Sequence, residues 1–329
     1  ILMVPPNNGP ALEASPSPIL PASQRTPRIA VLLASMNGAR WLPDQIRSIL
    51  DQKGVDVQIF VSDDGSSDGS FEWLQLLSQD HHRVRLLPRR QEPSGVGSNF
   101  FYLMETAPWQ DFDAVALADQ DDIWFDTKLE RHLRLLQEQQ SVGVSGNVLA
   151  LWPGGRTTLV RKNDPQTQFD YLFESSGPGC SFLLQPSFLQ FFCDKVLAAI
   201  PGARNFEYHD WLLYAAARSL KHTWVIDEVP CMYYRQHDHN HIGANVGVFP
   251  ALKRMRLVAN KSYRSRVTDL IEICKRLSGQ SVARHRSIQR LLRREGLWSR
   301  VLRARQASQF RRNRRDQLAL RFFFLLGWW

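Results

Sequence analysis

Three short apolar runs, at residues 29–34, 57–61 and 115–118, each break off into a polar turn. Between the first two lies a helix-period stripe (Trp41, Ile46, Ile49, Leu50), and after the second another (Phe71, Leu74, Leu77). Apolar strands alternating with helices at short spacing dictate an α/β domain with a mainly parallel sheet, because strands without a polar side need helices over both faces. In such sheets ligands bind beyond the carboxyl ends of the strands. The turns at 35–38, 62–68 and 119–122 follow those ends, so they should converge on one crevice.

The third turn, Asp119-Gln120-Asp121-Asp122, sets three carboxylates at the end of a buried strand. Close carboxylates repel and raise one another's pKa. The plain reading is a solvated Asp-rich turn. The functional one is a divalent cation holding a phosphate, since hard oxygen ligands suit Mg²⁺ or Mn²⁺. Other cofactor classes fail on spacing. The first strand–turn–helix unit reads Ser35-Met36-Asn37-Gly38 instead of G-x-G-x-x-G, and no G-x-x-x-x-G-K-[ST] occurs. Four scattered cysteines without a C-x-x-C pair argue against a zinc site or disulfide framework and suit a reducing compartment.

The net charge of +9 conceals a split: residues 250–329 carry 21 Lys and Arg against 4 Asp and Glu, leaving 20 against 28 in the body. Residues 1–26 read as a disordered Pro-rich leader and 27–249 as the catalytic domain, with a nucleotide half (27–140) and an acceptor half (141–249). Residues 250–329 read as basic amphipathic helices, with apolar spacing at Leu257, Val258, Val267, Leu270, Ile271, Cys274, Ile288, Leu291 and Leu292. Arginines with an aromatic end favour a membrane interface. Packing on the domain and dimerisation are the alternatives. No RNA-binding module accompanies the charge, so no nucleic-acid partner is expected. No stretch reaches the ~18–20 apolar residues of a spanning helix, and the start lacks the features of a secretory signal.

In the acceptor half, 142–151 reads as one strand, 154–168 as a polar loop and 181–184 as a short strand after Gly177-Pro178-Gly179-Cys180. A helix is expected from Pro186 to about residue 199, and Glu207-Tyr208-His209-Asp210-Trp211 opens another. Two β-like segments, 222–226 and 231–234, lead to Arg235-Gln236-His237, with His239 and His241 following.

Four blocks in this order resemble glycosyltransferase family 2, with the GT-A nucleotide-diphospho-sugar transferase fold, and especially bacterial rhamnosyltransferases of surface-polysaccharide assembly. They are Ala34-Ser35-Met36-Asn37-Gly38, Ser62-Asp63-Asp64-Gly65-Ser66, Ala118-Asp119-Gln120-Asp121-Asp122-Ile123-Trp124, and His209-Asp210-Trp211 with Tyr234-Arg235-Gln236-His237. The resemblance implies an inverting transfer from a nucleoside-diphosphate sugar, dTDP-rhamnose being the candidate, to a saccharide acceptor such as one on a polyprenyl diphosphate. It implies nucleotide contacts at Ala34, Met36, Asn37, Asp64, Gly95, Asn99 and Asp119. Mg²⁺ or Mn²⁺ would be held by Asp121, with Asp119 and His237; His239 and His241 compete for the last place. Asp210 becomes the general base, with Glu207 its rival, because the family's usual Glu-Asp pair here reads His209-Asp210. Gly179, Cys180 and Trp211 fall on the acceptor side, where Trp211 could equally be core. Such an enzyme would work on the cytoplasmic face of the inner membrane. The competing expectations are a non-catalytic adaptor on the same fold and, from the acidic metal ligands, a nucleotidyltransferase.

Overall fold

The computed structural model describes residues 25–90, 95–237, 261–277 and 282–329, with backbone alone for 261 and 262. The leader as far as residue 24, and residues 238–260 with His239, His241, Leu257 and Val258, lie outside the described residues.

The fold is built on β1 (Arg28–Ser35), which pairs in parallel with β2 (Asp56–Asp63) on one side and β4 (Ala114–Asp119) on the other. Alternate side chains of β1 serve opposite faces. Ile29, Val31 and Leu33 pack with Leu42, Ile46 and Ile49 of α1 (Leu42–Leu50). Ala30 and Leu32 pack with Phe100, Leu103 and Met104 of α3 (Val96–Thr106), which follows α2 (Ser70–Asp80). Residues 29–33 are wholly buried, and burying each aliphatic side chain is worth about 1.5–3 kcal/mol.

The main sheet has seven strands. Beyond β2 lies β3 (Val84–Leu86). On the other flank β9 (Leu183–Leu184) is inserted antiparallel between β4 and β6 (Gly143–Gly146), and β10 (Trp224–Asp227) closes the edge parallel to β6. A second sheet orders β5 (Ile123–Trp124), β11 (Met232–Arg235), β7 (Val148–Leu151) and β8 (Thr157–Val160). The mainly parallel α/β sheet is the expected one, and helix α4 (Lys128–Glu138) follows β5.

Three local readings change. Residues 142–151 form two strands in different sheets. Asn147, between them, accepts from Lys162 N (2.6 Å) and donates to Glu228 O (2.8 Å) with its side chain. Its backbone N–H donates to Asp227 O (3.1 Å) and its carbonyl accepts from Cys231 N (3.0 Å), so it bonds to both sides where the chain changes sheet. The expected loop at 154–168 contains β8, a short partly exposed edge strand too polar to show apolar periodicity. Helix α5 (Pro186–Phe191) runs on as a π-helical turn over Phe192–Leu197.

The basic C-terminal region forms α7 (Lys261–Leu277), α8 (Val282–Arg293), α9 (Leu297–Phe310) and α10 (Arg314–Leu326). Its expected apolar stripe is largely consumed at home. Val267, Leu270, Ile271, Cys274, Ile288 and Leu292 join the same hydrophobic cluster as α6 (His209–Ser219). Phe310 is fully buried and stacks on Phe173 of the acceptor half at 4.4 Å. What faces outward is confined to the last two helices. Of 12 exposed large hydrophobic side chains among the described residues, eight belong to this hairpin and its end: Leu297, Trp298 and Leu302, then Leu318, Phe322, Leu325, Leu326 and Trp328.

Phe310→Ala should destabilise the protein by about 3–5 kcal/mol, the usual cost of emptying a buried aromatic position. Phe322→Ala on the outward face should stay within about 0.5 kcal/mol. Urea denaturation of the two variants checks this.

Candidate active site

The register of the sheet assembles the site. Ser35 stands opposite Asp63, and Ala34 opposite Asp119, so the ends of β1, β2 and β4 finish side by side. The first two turns then interlock. Asn37, at φ 54° in the left-handed region that Asn tolerates, donates its N–H to Ser66 Oγ (2.7 Å) and accepts from Ser67 N (2.9 Å). Gly38 N donates to Ser70 Oγ at 2.9 Å.

The paired aspartates after β2 divide the work. Asp63 accepts from Ser66 N (2.9 Å) and Ser66 Oγ (2.5 Å) and holds its own turn. Asp64 points the other way, accepting from Gly95 N at 2.9 Å and pairing with Arg90 at 3.2 Å. Asn99 donates to Ser62 O at 3.0 Å and ties α3 to the same strand end. Ala34, Met36, Asn37, Asp64, Gly95 and Asn99 are therefore neighbours, and Met36 is exposed.

Gln120 is a functional position that the sequence reading passed over. Its side chain accepts from Met36 N (2.7 Å) and donates to Met36 O (2.8 Å), clamping the first turn to the acidic one. Gln45 fixes the other side by donating to Asp119 O at 2.8 Å. The only sequence signal was its place in the middle of the acidic block.

The carboxylates differ in kind. Asp121 meets His237, Oδ2 to Nε2 at 2.7 Å, and the His237 ring stacks on Trp41 with centroids 4.0 Å apart. Burial, and then the charge of Asp121, pushes the Asp119 carboxyl up to about 7. Asp122 is fully buried and is also pushed well above the carboxylate range, first by burial and then by Asp121. The Cys180 thiol faces it, and no stronger donor among the described residues pairs with either of its oxygens. Lys128 underlies the cluster: it donates to Cys180 O at 2.7 Å, rests on the Trp124 ring at 3.1 Å, and burial lowers it to about 8.

Two donor sets lie here. Ligand atoms of Asp119, Asp122 and Cys180 come within 4.8 Å of one another. That trio is a poor seat for a hard cation, because burial holds the thiol protonated and sulfur suits softer metals. Asp121 with His237 offers hard oxygen and imidazole donors of the kind that suit Mg²⁺ or Mn²⁺, while Asp119 falls in the first set.

On the acceptor side, Asp210 sits in the first turn of α6 and accepts from Trp211 N at 2.7 Å. Burial pushes its carboxyl up to about 6, and its charge contributes to the rise at Asp119. Glu207 is exposed and paired with Arg266 at 2.7 Å. His209 stacks on Phe100 at 3.9 Å, and Gly179 backs it so closely that a Cβ there would lie 2.3 Å from His209 Nε2. The Trp211 ring is buried and donates to Tyr171 O at 2.8 Å, and Cys180 is wholly buried in the acidic cluster. Both sit beneath the acceptor side and support it.

A strand-end crevice flanked by an interlocked pair of turns, an acidic block and a helix-borne carboxylate defines a nucleotide-sugar type of α/β transferase. The family model for Glycosyl transferase family 2 matches residues 30–176. The dTDP-rhamnosyl transferase RfbG of Shigella flexneri is 37% identical over 239 residues, which is 72% of this chain and 83% of that protein. An Escherichia coli UDP-Glc:alpha-D-GlcNAc-diphosphoundecaprenol beta-1,3-glucosyltransferase, WfgD, is 23% identical over 56% of this chain and 68% of its own. Among solved structures, S. aureus TarS 1-349 in complex with UDP shares the fold, with a TM-score of 0.51 and 12% identity over 92% of this chain and 91% of that one. The chain belongs to glycosyltransferase family 2. It is an inverting glycosyltransferase that uses a nucleotide sugar.

Gly179→Ala should drive its new methyl against His209 and, at 3.3 Å, against Asp210 Cβ. Displacing a reacting group by about 1 Å costs on the order of 10²-fold in rate. Steady-state turnover should fall on that scale while nucleoside-diphosphate affinity, measured by calorimetry, stays unchanged.

Proposed function

We propose that the protein transfers rhamnose from dTDP-rhamnose to a saccharide carried on a polyprenyl diphosphate at the cytoplasmic face of the inner membrane. The observation that carries the donor reading is the identity to RfbG, which extends over most of that protein's length. The lipid-linked acceptor is supported by the name of WfgD, whose own acceptor is diphosphoundecaprenol-linked.

In this reading the nucleotide lies along Ala34, Met36 and Asn37, with Asp64 accepting from the pyrimidine N–H and Gly95, Asn99 and Asp119 lining the same side. A carboxylate acceptor suits the imide N–H of the ring. Asp121 and His237, with Asp119, would hold Mg²⁺ or Mn²⁺. Such an ion, when bound, neutralises the charge that grows on the departing diphosphate. Asp210 takes the proton of the acceptor hydroxyl as the hydroxyl oxygen attacks the anomeric carbon from the face opposite the diphosphate. A carboxyl raised to about 6 is a stronger base than an ordinary aspartate and is still mostly ionised at neutral pH. Gly179 and Cys180 form the floor of the acceptor side, and Trp211 anchors the helix that carries Asp210.

Docking to the membrane is assigned to the α9–α10 hairpin. Its outward leucines and aromatics lie among Arg300, Arg305, Arg314, Arg315 and Arg321, a combination that suits an anionic lipid surface. Among the described residues no helix is long and apolar enough to cross a membrane, which is consistent with attachment from one side.

Asp210→Asn should lower transfer by about 10²–10⁴-fold, the usual contribution of a general base, with dTDP affinity retained; loss of both would make Asp210 structural. The base works deprotonated, so wild-type kcat should decline as the pH falls through about 6. A pH–rate profile without that acid limb would count against the assignment. Trp298→Glu with Phe322→Glu should abolish co-sedimentation with phosphatidylglycerol vesicles and leave turnover of a water-soluble acceptor unchanged.

A further inference from the structure

The turn joining α9 to α10 does not simply close a hairpin; it is driven into the acceptor half. Arg312 has a side chain only 3% exposed. Its Nη1 donates to Asp170 Oδ2 (3.0 Å) and reaches Tyr214 Oη (3.4 Å), while its Nη2 donates to Ser175 O (2.6 Å). Its backbone N–H donates to Glu174 Oε1 at 2.7 Å. On either side of it, Arg311 pairs with Glu174 at 3.5 Å and Asn313 donates to Asp164 at 2.9 Å.

The two elements gripped by this one guanidinium both end at Asp210. Tyr214 lies one helical turn beyond Asp210 on α6, and its hydroxyl donates to the fully buried Asp170 at 2.6 Å. Ser175 sits on the 174–177 loop. Its hydroxyl donates to Gly177 O at 3.0 Å and faces the Asp210 carboxyl, whose charged form it favours. Stability alone does not call for such an arrangement, since a buried ion pair is often matched by apolar packing of similar volume. A planar fork that fixes two elements at once supplies direction, which a point charge does not.

We propose that Arg312 is a positioning residue for transfer: from the C-terminal hairpin it fixes the 174–177 loop and the head of α6, and so the orientation of Asp210 toward the acceptor hydroxyl. The C-terminal region then completes the active site in addition to docking. This rests on the reading of Asp210 as the base.

The test uses the full chain, with dTDP-rhamnose as donor and either water or a short-chain, water-soluble alkyl-diphosphate saccharide as acceptor, so that vesicles play no part. Arg312→Met and Arg312→Lys should each lower kcat by about 30-fold or more, toward the 10²-fold cost of a misplaced group, with dTDP affinity by calorimetry within about twofold. Ser175→Ala should lower kcat less, and Arg312→Met combined with Ser175→Ala should be no slower than Arg312→Met alone, because both act through one path. Unchanged kcat per folded molecule, or effects that multiply in the double variant, would overturn the proposal. If the Arg312 variants do not fold, Ser175→Ala and Tyr214→Phe carry the test: kcat should fall in both with dTDP affinity intact, and wild-type kcat in both would overturn it. Wild-type transfer by Asp210→Asn would instead remove the base reading. An inactive Asp210→Asn beside fully active Arg312 variants would remove only the role given to Arg312.

Discussion

Parallel pairing of β1 with β2 and β4 is the constraint on which the molecule depends. Because Ser35 aligns with Asp63 and Ala34 with Asp119, three strands deliver their polar turns to one line, and a slip of one residue would turn every side chain to the wrong face. Wholly apolar strands and helices on both faces hold that register. The consequence is a set of carboxylates closer together than they would be in water. Burial and mutual repulsion push Asp119 up to about 7 and Asp122 well above the carboxylate range, so the end of β4 is preorganised for positive charge.

The other side of the crevice is organised by support from behind. Asp210 is offered by α6, whose first turn is fixed by the buried Trp211 ring, by the close approach of Gly179 to His209, and by the Tyr214–Asp170 pair with its arginines. The same helix shares a hydrophobic cluster with α7 and with Phe310 of α9. Catalytic domain and basic region are thus one packed body on this side. Among the described residues, Arg311 and Arg312 hold the acceptor half, while Arg300, Arg305, Arg314, Arg315 and Arg321 lie on the hairpin that carries the outward apolar face.

Much of this was legible in the sequence, for identifiable reasons. Apolar runs reveal central strands, and the family resemblance points to Asp64, Asp119, Asp121 and Asp210; the structure sets the first three at or just beyond neighbouring strand ends. His237 could be named too, but only as one of three histidines; its contact with Asp121 at 2.7 Å is a long-range fact that spacing does not carry. Gln120 was hidden because a glutamine between aspartates looks like filler until its amide is seen clamping Met36. The change of sheet at Asn147 rests on one residue whose backbone bonds to Asp227 on one side and Cys231 on the other, which apolar periodicity does not show. The amphipathic period of the basic region was plain, yet period alone does not say what covers an apolar face. For Val267, Leu270 and Cys274 the cover is α6; for Leu318 and Phe322 the described chain provides none.

We propose that the acidic end of β4 seats the donor diphosphate through a divalent cation held by Asp121. The most direct test is calorimetric binding of dTDP with and without Mn²⁺, in the wild-type chain and in Asp121→Asn. The account predicts that Mn²⁺ tightens dTDP binding by about tenfold or more in the wild type, equivalent to about 1.4 kcal/mol, and that Asp121→Asn abolishes the gain while keeping the weaker metal-free affinity. Equal dTDP affinity with and without Mn²⁺ in the wild type, or a full gain retained by Asp121→Asn, would contradict it.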